Sequence, residues 1–151
     1  MTPKSLTRVT TSVFALLAFT LTACLPRGES HTVDQIFSDA KVAYARMSVS
    51  GLPADVTQSL SKITQDIDIL AGVGGAGDAK SVAKEVSGSL DSLISKSGMT
   101  QRASMTELVN QYRVIAKSEG AVSIQAPQLK LIAARTYALL KAELTSTKFG
   151  L

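Results

Sequence analysis

Apolar residues recur at spacings of three and four along five successive stretches of this chain, and glycine, proline or a capping residue punctuates them. With 3.6 residues per turn, each such stretch gathers its apolar residues on one face of an α-helix, a face that must be buried against something else. The first begins at Thr32, which with Gln35 has the form of a capping box, and carries Val33, Ile36, Phe37, Ala40, Tyr44 and Met47. Residues 48–52 break it. Pro53 suits the first turn of a second helix, on which Val56, Leu60, Ile63, Ile67 and Leu70 keep strict four-three spacing. Its polar face carries Asp55, Lys62, Asp66 and Asp68, expected to be solvated.

Gly72, Gly74, Gly75 and Gly77 end that helix, and Asp78 can cap a third with Val82, Val86, Leu90, Leu93 and Ile94 on its apolar side. Gly88 weakens this helix and Gly98 stops it. Thr100 is the expected start of a fourth, with Met105, Leu108, Val109, Tyr112, Ile115 and Ala116 on one face and Gly120 at its end. Residues 121–126 alternate weakly, but one short strand without a partner makes no sheet. Pro127 opens a fifth helix with a stripe of Leu129, Ala133, Tyr137, Leu140 and Leu144. Leu131, Ile132 and Leu139 fall outside that stripe, so either several neighbours surround this helix or part of it is a contact surface. The fold class that follows is all-α: an antiparallel bundle of four to five amphipathic helices with short connections.

Residues 1–31 have another character. Lys4 and Arg8 precede an apolar run from Val13 to Leu21, and Leu21-Thr22-Ala23-Cys24 follows. This is the layout of a secretory signal. The nine-residue run covers about 14 Å as a helix, against roughly 30 Å of hydrocarbon, so it is too short to span a membrane. Leu21-Thr22-Ala23-Cys24 resembles the lipobox of bacterial lipoproteins, in which the cysteine thiol takes a diacylglyceryl group, the peptide is cut before the cysteine, and the new amine can be acylated. The resemblance implies a signal peptide over residues 1–23, a lipidated Cys24, and attachment to a membrane by two or three acyl chains. Residues 24–31 are then the lipidated cysteine and a short tether, and residues 32–151 are the helical domain with a short tail. The seven residues from Leu25 to His31 reach at most about 25 Å, so the domain is expected close to the lipid surface. Leu25 is not the aspartate that resembles an inner-membrane retention signal, which favours the outer membrane, facing the periplasm.

Removing residues 1–23 leaves 128 of 151, enough for one domain with a real core. The formal charge of +4 falls to +2 without Lys4 and Arg8, and no basic cluster has interleaved aromatics, so nucleic acid is not an expected partner. Cys24 is the only cysteine, and acylation leaves no thiol for a disulfide, a metal or catalysis. His31 is the only histidine. No metal or cofactor is expected.

Several patterns resemble catalytic motifs without their context. Gly72, Gly74 and Gly77 satisfy G-x-G-x-x-G, but a helix precedes them where a strand is required, and Asp78 stands where phosphate would bind. A loop is the reading adopted. Ser38 with Lys41, Ser59 with Lys62 and Ser81 with Lys84 all match S-x-x-K, and three hits in a chain rich in both residues mark a polar surface. Asp66 and Asp68, two apart, point to different sides of their helix and make no carboxylate pair. No enzyme is expected.

Two roles fit these observations. The first is a non-catalytic, membrane-anchored interaction module for another cell-envelope protein. Its candidate contact strip is Leu131, Arg135 and Leu139, at i, i+4 and i+8 on the side of the fifth helix away from its core stripe, with Ala134, Ala138 and Ala142 nearby. The second is a binder of a lipid or other apolar small molecule, with Tyr44, Tyr112 and Tyr137 lining a pocket between helices. The plainer account of the tyrosines is three large core residues with hydroxyls at the core edge.

Overall fold

Each apolar repeat forms a helix in the computed structural model, which describes residues 32–96, 98–118 and 126–146. The helices are α1 (Val33–Ala45), α2 (Ala54–Leu70), α3 (Ala79–Lys96), α4 (Arg102–Lys117) and α5 (Ala126–Thr145). All five belong to one compact unit.

The helix ends show why the boundaries fall where they do. Thr32 is extended, and its hydroxyl accepts from the Gln35 N–H at 3.3 Å, capping α1. Asp78 caps α3: one carboxylate oxygen accepts from the Ser81 N–H at 3.0 Å and from the Ser81 hydroxyl at 2.8 Å. Those bonds, the backbone one first, hold the Asp78 carboxyl below the usual range. Pro53 sits one position further out than expected, as the residue before the helix, and its carbonyl accepts from the Thr57 N–H at 3.0 Å.

At the end of α2 the glycine-rich turn is a Schellman cap. Gly72 takes φ +73°, its N–H donates to the Ile69 carbonyl, and the Val73 N–H donates to the Asp68 carbonyl, each at 3.0 Å. The Gly74 N–H donates to the same Asp68 carbonyl at 3.0 Å, and a Cβ at Gly74 would lie 2.8 Å from the Ile69 nitrogen. Three successive N–H groups of the turn therefore satisfy the helix behind them rather than cradle a phosphate.

The helices alternate in direction. Lys96 near the end of α3 reaches Asp55 at the start of α2 at 3.3 Å, and Glu143 near the end of α5 meets Thr100 and Gln101 before α4. α2 packs on α3, α3 on α4, α4 on α5 and α5 on α2, which closes a four-helix ring, and α1 lies outside it against α5. As first and fifth of an alternating series, α1 and α5 run parallel, with Asp34 paired to Lys130 near the start of both.

The expected stripe residues of α2, α3 and α4 are buried but for Ala116, whereas on α1 only Phe37 is buried and Val33, Ile36, Ala40, Tyr44 and Met47 are half-buried. α5 touches three helices, and this accounts for its apolar surroundings. Ile132 and Ala134, outside the expected stripe, are buried, while Leu144, within it, is half-buried. The alternation expected over residues 121–126 falls largely on 121–125, which lie outside the described residues, as does Gly120.

Candidate functional site

The candidate residues divide between two sides of α5. On the side facing α1 and α2, the Tyr137 ring is the centre of an aromatic cluster. Phe37 meets it edge-on at a centroid distance of 5.9 Å, and Tyr44 meets it tilted at 5.3 Å. No ligand fits between rings so close. The Tyr137 hydroxyl donates to Asp68 Oδ1 at 2.8 Å, and Asp68 Oδ2 accepts from Lys41 Nζ at 2.7 Å. Burial, and then the neighbouring Asp68 carboxylate, push the Tyr137 hydroxyl above its ordinary pKa, so it is a fixed donor rather than a base. Burial also raises Tyr44. Tyr112 is turned to a different partner, Thr136, whose hydroxyl lies 2.7 Å away. That hydroxyl donates onward to the Ile132 carbonyl at 2.8 Å, so Tyr112 is the donor to it. Of the three tyrosines, Tyr44 and Tyr137 are thus brought together.

Asp66 and Asp68 are not the solvated charges expected. Asp66 is only 7% exposed, at the helix interface, and Asp68 is half-buried in the tyrosine cluster. Lys62 Nζ spans Asp66 at 3.2 Å and Glu85 of α3 at 2.5 Å, and these carboxylates, Glu85 first, raise the ammonium pKa. Four of the six S-x-x-K residues are engaged elsewhere: Lys41 on Asp68, Lys62 on its two carboxylates, the Ser59 hydroxyl on the Asp55 carbonyl and the Ser81 hydroxyl on Asp78. Each packed helix pair carries a polar tie. Asp91 to Arg113 joins α3 and α4, Glu107 to Arg135 joins α4 and α5, and the Tyr137 hydroxyl joins α5 to α2.

The tie that sequence reasoning missed is Glu143. It is fully buried on α5, yet its carboxylate accepts from the Thr100 N–H and hydroxyl, both at 3.2 Å, and from the Gln101 N–H. These groups lie at the N-terminus of α4, where N–H groups have no partner within the helix and the dipole favours negative charge. Thr100 is therefore held by a distant residue, and α4 starts at Arg102 instead. The available signal was a lone glutamate three residues after Leu140, in register with the core.

On the outward side of α5, the strip Leu131, Arg135 and Leu139 has a mixed environment. Arg135 forks onto Glu107 of α4, with nitrogens 2.9 and 3.3 Å from its two oxygens. Gln111 Nε2 donates to the same Glu107 at 3.2 Å, and Gln111 Oε1 is buried with no hydrogen-bond partner. Leu131 and Leu139 are half-exposed, and Leu139 packs on the core edge. Ala138 and Ala142 are exposed beside them, but Ala134 is buried. A shallow, open depression also runs along α2, lined by Ala54, Thr57, Gln58, Ser61, Lys62 and Gln65.

Cys24 and His31 lie outside the described residues. Among the described residues, no group of three His, Cys, Asp or Glu side chains is placed to hold a metal ion, and no helix is long and apolar enough to cross a membrane. No protein family, curated protein or solved structure compared with the chain matches it.

Proposed function

We propose that this protein is a lipid-anchored cell-envelope module that binds another envelope protein and performs no chemistry of its own. The observation that carries the reading is how the reactive side chains are used: Lys41, Lys62, Asp68, Tyr137 and Glu143 tie helices together, and Asp66 holds Lys62 within α2. What the domain offers a partner is surface. The outward strip of α5 supplies two half-exposed leucines around an arginine that Glu107 already orients, and a pre-positioned guanidinium gives up little freedom on binding. The Leu21-Thr22-Ala23-Cys24 sequence supports acylation at Cys24, and with it attachment to a membrane, with the outer membrane as the proposed location.

The reading is tested by Leu131→Asp, which changes a half-exposed position at modest cost to the fold, in the acylated full-length protein. Loss of a co-purifying envelope protein with an unchanged melting curve supports the strip as the contact. Unchanged co-purification removes it. Native mass spectrometry of the same protein separates this role from that of an apolar-ligand binder, because a retained apolar small molecule would contradict the module reading.

A further inference from the structure

We infer that the end of the bundle nearest Thr32 docks on anionic phospholipid, with Val73 entering the headgroups and Lys80, Lys84 and Lys117 meeting their phosphates. This rests on the proposed acylation of Cys24. Because the helices alternate, α1, α3 and α5 begin and α2 and α4 finish at that end. Seven residues separate Cys24 from Thr32, the cap of α1, and fully extended they reach at most about 25 Å. The 18 residues of α3 alone extend about 27 Å. The tether is therefore too short to run back along the bundle, and the far end does not reach the lipid that holds Cys24. The other surface within its reach is the outer flank of α1, where exposed Asp39 has no basic partner among the described residues and is repelled by an anionic surface.

The end itself suits headgroups. Residues 70–77 carry no charge and no polar side chain, and Val73 in this turn is 52% exposed. The N–H groups of Gly72, Val73 and Gly74 already donate to α2, so the turn gives up fewer hydrogen bonds to water on entering an interface. The carboxylates near this end are engaged: Asp34 with Lys130, Asp66 with Lys62, Asp68 with Lys41 and Tyr137, and Asp78 with Ser81. Exposed Lys84 and Lys117 have no acidic partner among the described residues, and half-exposed Lys80 lies beside the Asp78 cap. This end thus presents positive charge around an uncharged turn, which anionic headgroups attract. Docked in this way, α5 stands off the membrane and its outward strip stays open to a protein partner.

The acylated full-length protein in vesicles tests this. Acylation consumes the thiol of Cys24, so Val73→Cys and Val49→Cys each supply a single free thiol for a fluorophore. Val49, also exposed, lies between α1 and α2 at the far end. In vesicles of phosphatidylcholine and phosphatidylglycerol in equal amounts, with a nitroxide on the headgroups, quenching is expected at position 73 and not at position 49. Replacing the phosphatidylglycerol with phosphatidylcholine, or combining Lys84→Glu with Lys117→Glu, is expected to lower the ratio of docked to free domain by at least about fivefold. Quenching at position 73 that is no stronger than at position 49, or that survives either change, would overturn the inference. A chain whose Cys24 takes no palmitate would overturn the anchor reading and this inference with it, whereas absence of docking in fully acylated protein would overturn this inference alone. Cross-linking at Leu131 tests the module reading by itself.

Discussion

Replacing Glu143 with glutamine keeps the shape of the side chain and removes its charge, so its effect measures what the buried cap contributes. The carboxylate accepts from two backbone N–H groups and one hydroxyl, and the side chain is fully buried, so water does not substitute for it. A hydrogen bond to a charged acceptor contributes about 1.5–3 kcal/mol against about 1 kcal/mol for a neutral one. Glutamine retains one acceptor oxygen and turns an amide donor toward the remaining N–H, which leaves a helix-terminal donor unsatisfied at a cost of about 1–3 kcal/mol. The sum is a loss of about 3 kcal/mol, or about 10 °C in Tm for a domain of this size. Glu143→Ala, which also opens a void, is expected to lose more. Glu107→Gln, whose side chain is 57% exposed, is the control and is expected to lose less than about 1 kcal/mol. Urea denaturation followed by circular dichroism at 222 nm gives both values. A Glu143→Gln loss below about 0.5 kcal/mol, or no larger than that of the control, would refute the claim that this carboxylate holds α4 to α5.

Gly88 is exposed in the middle of α3, and a Cβ there meets nothing within 4 Å, so Gly88→Ala is expected to stabilise by about 0.5–1 kcal/mol in the same assay. Gly72→Ala is expected to do the opposite, losing about 1–2 kcal/mol, because Gly72 holds φ +73° in the Schellman cap. Burial raises the hydroxyl pKa values of Tyr112 and Tyr137 above the ordinary value of 10.0, so above about pH 10 the unfolded chain releases protons that the folded one retains. Stability is then independent of these groups below pH 10 and falls as pH rises beyond it, and absorbance at 295 nm is expected to show both tyrosines ionising together with loss of helix; ionisation with the helix intact would contradict their burial. Cys24→Ser is expected to abolish incorporation of labelled palmitate and leave an unprocessed or mislocalised chain, whereas label that survives the substitution would overturn the lipobox assignment.

The helices were legible because an apolar repeat of three and four has one physical solution, and the caps because Thr32 and Asp78 announce themselves by residue type and offset. What the repeat does not encode is how many neighbours a helix has. The sequence left α5 between a surrounded helix and a contact face, and burial of Ile132 and Ala134 follows from its having α1, α2 and α4 beside it. Polar residues were the harder problem. Asp66 looked like surface because a carboxylate usually is, but Lys62 reaches it from the next turn and lets it be buried. Glu143 and the Tyr137 to Asp68 bond join residues 42 or more positions apart, and local spacing carries no record of such partners. The candidate strip was legible as three positions on one side of a helix, but the fork from Arg135 to Glu107 that orients its centre was not.

The most direct test of the central claim, an anchored module that works by contact, is photo-cross-linking in intact cell envelopes with a photoreactive residue at position 131, on the outward strip of α5, or at position 58, in the open depression of α2. The account predicts one discrete envelope protein joined to the chain from position 131, absent from position 58 and lost in the Cys24→Ser background. The same product from both positions, or none from position 131 in correctly acylated protein, would contradict it.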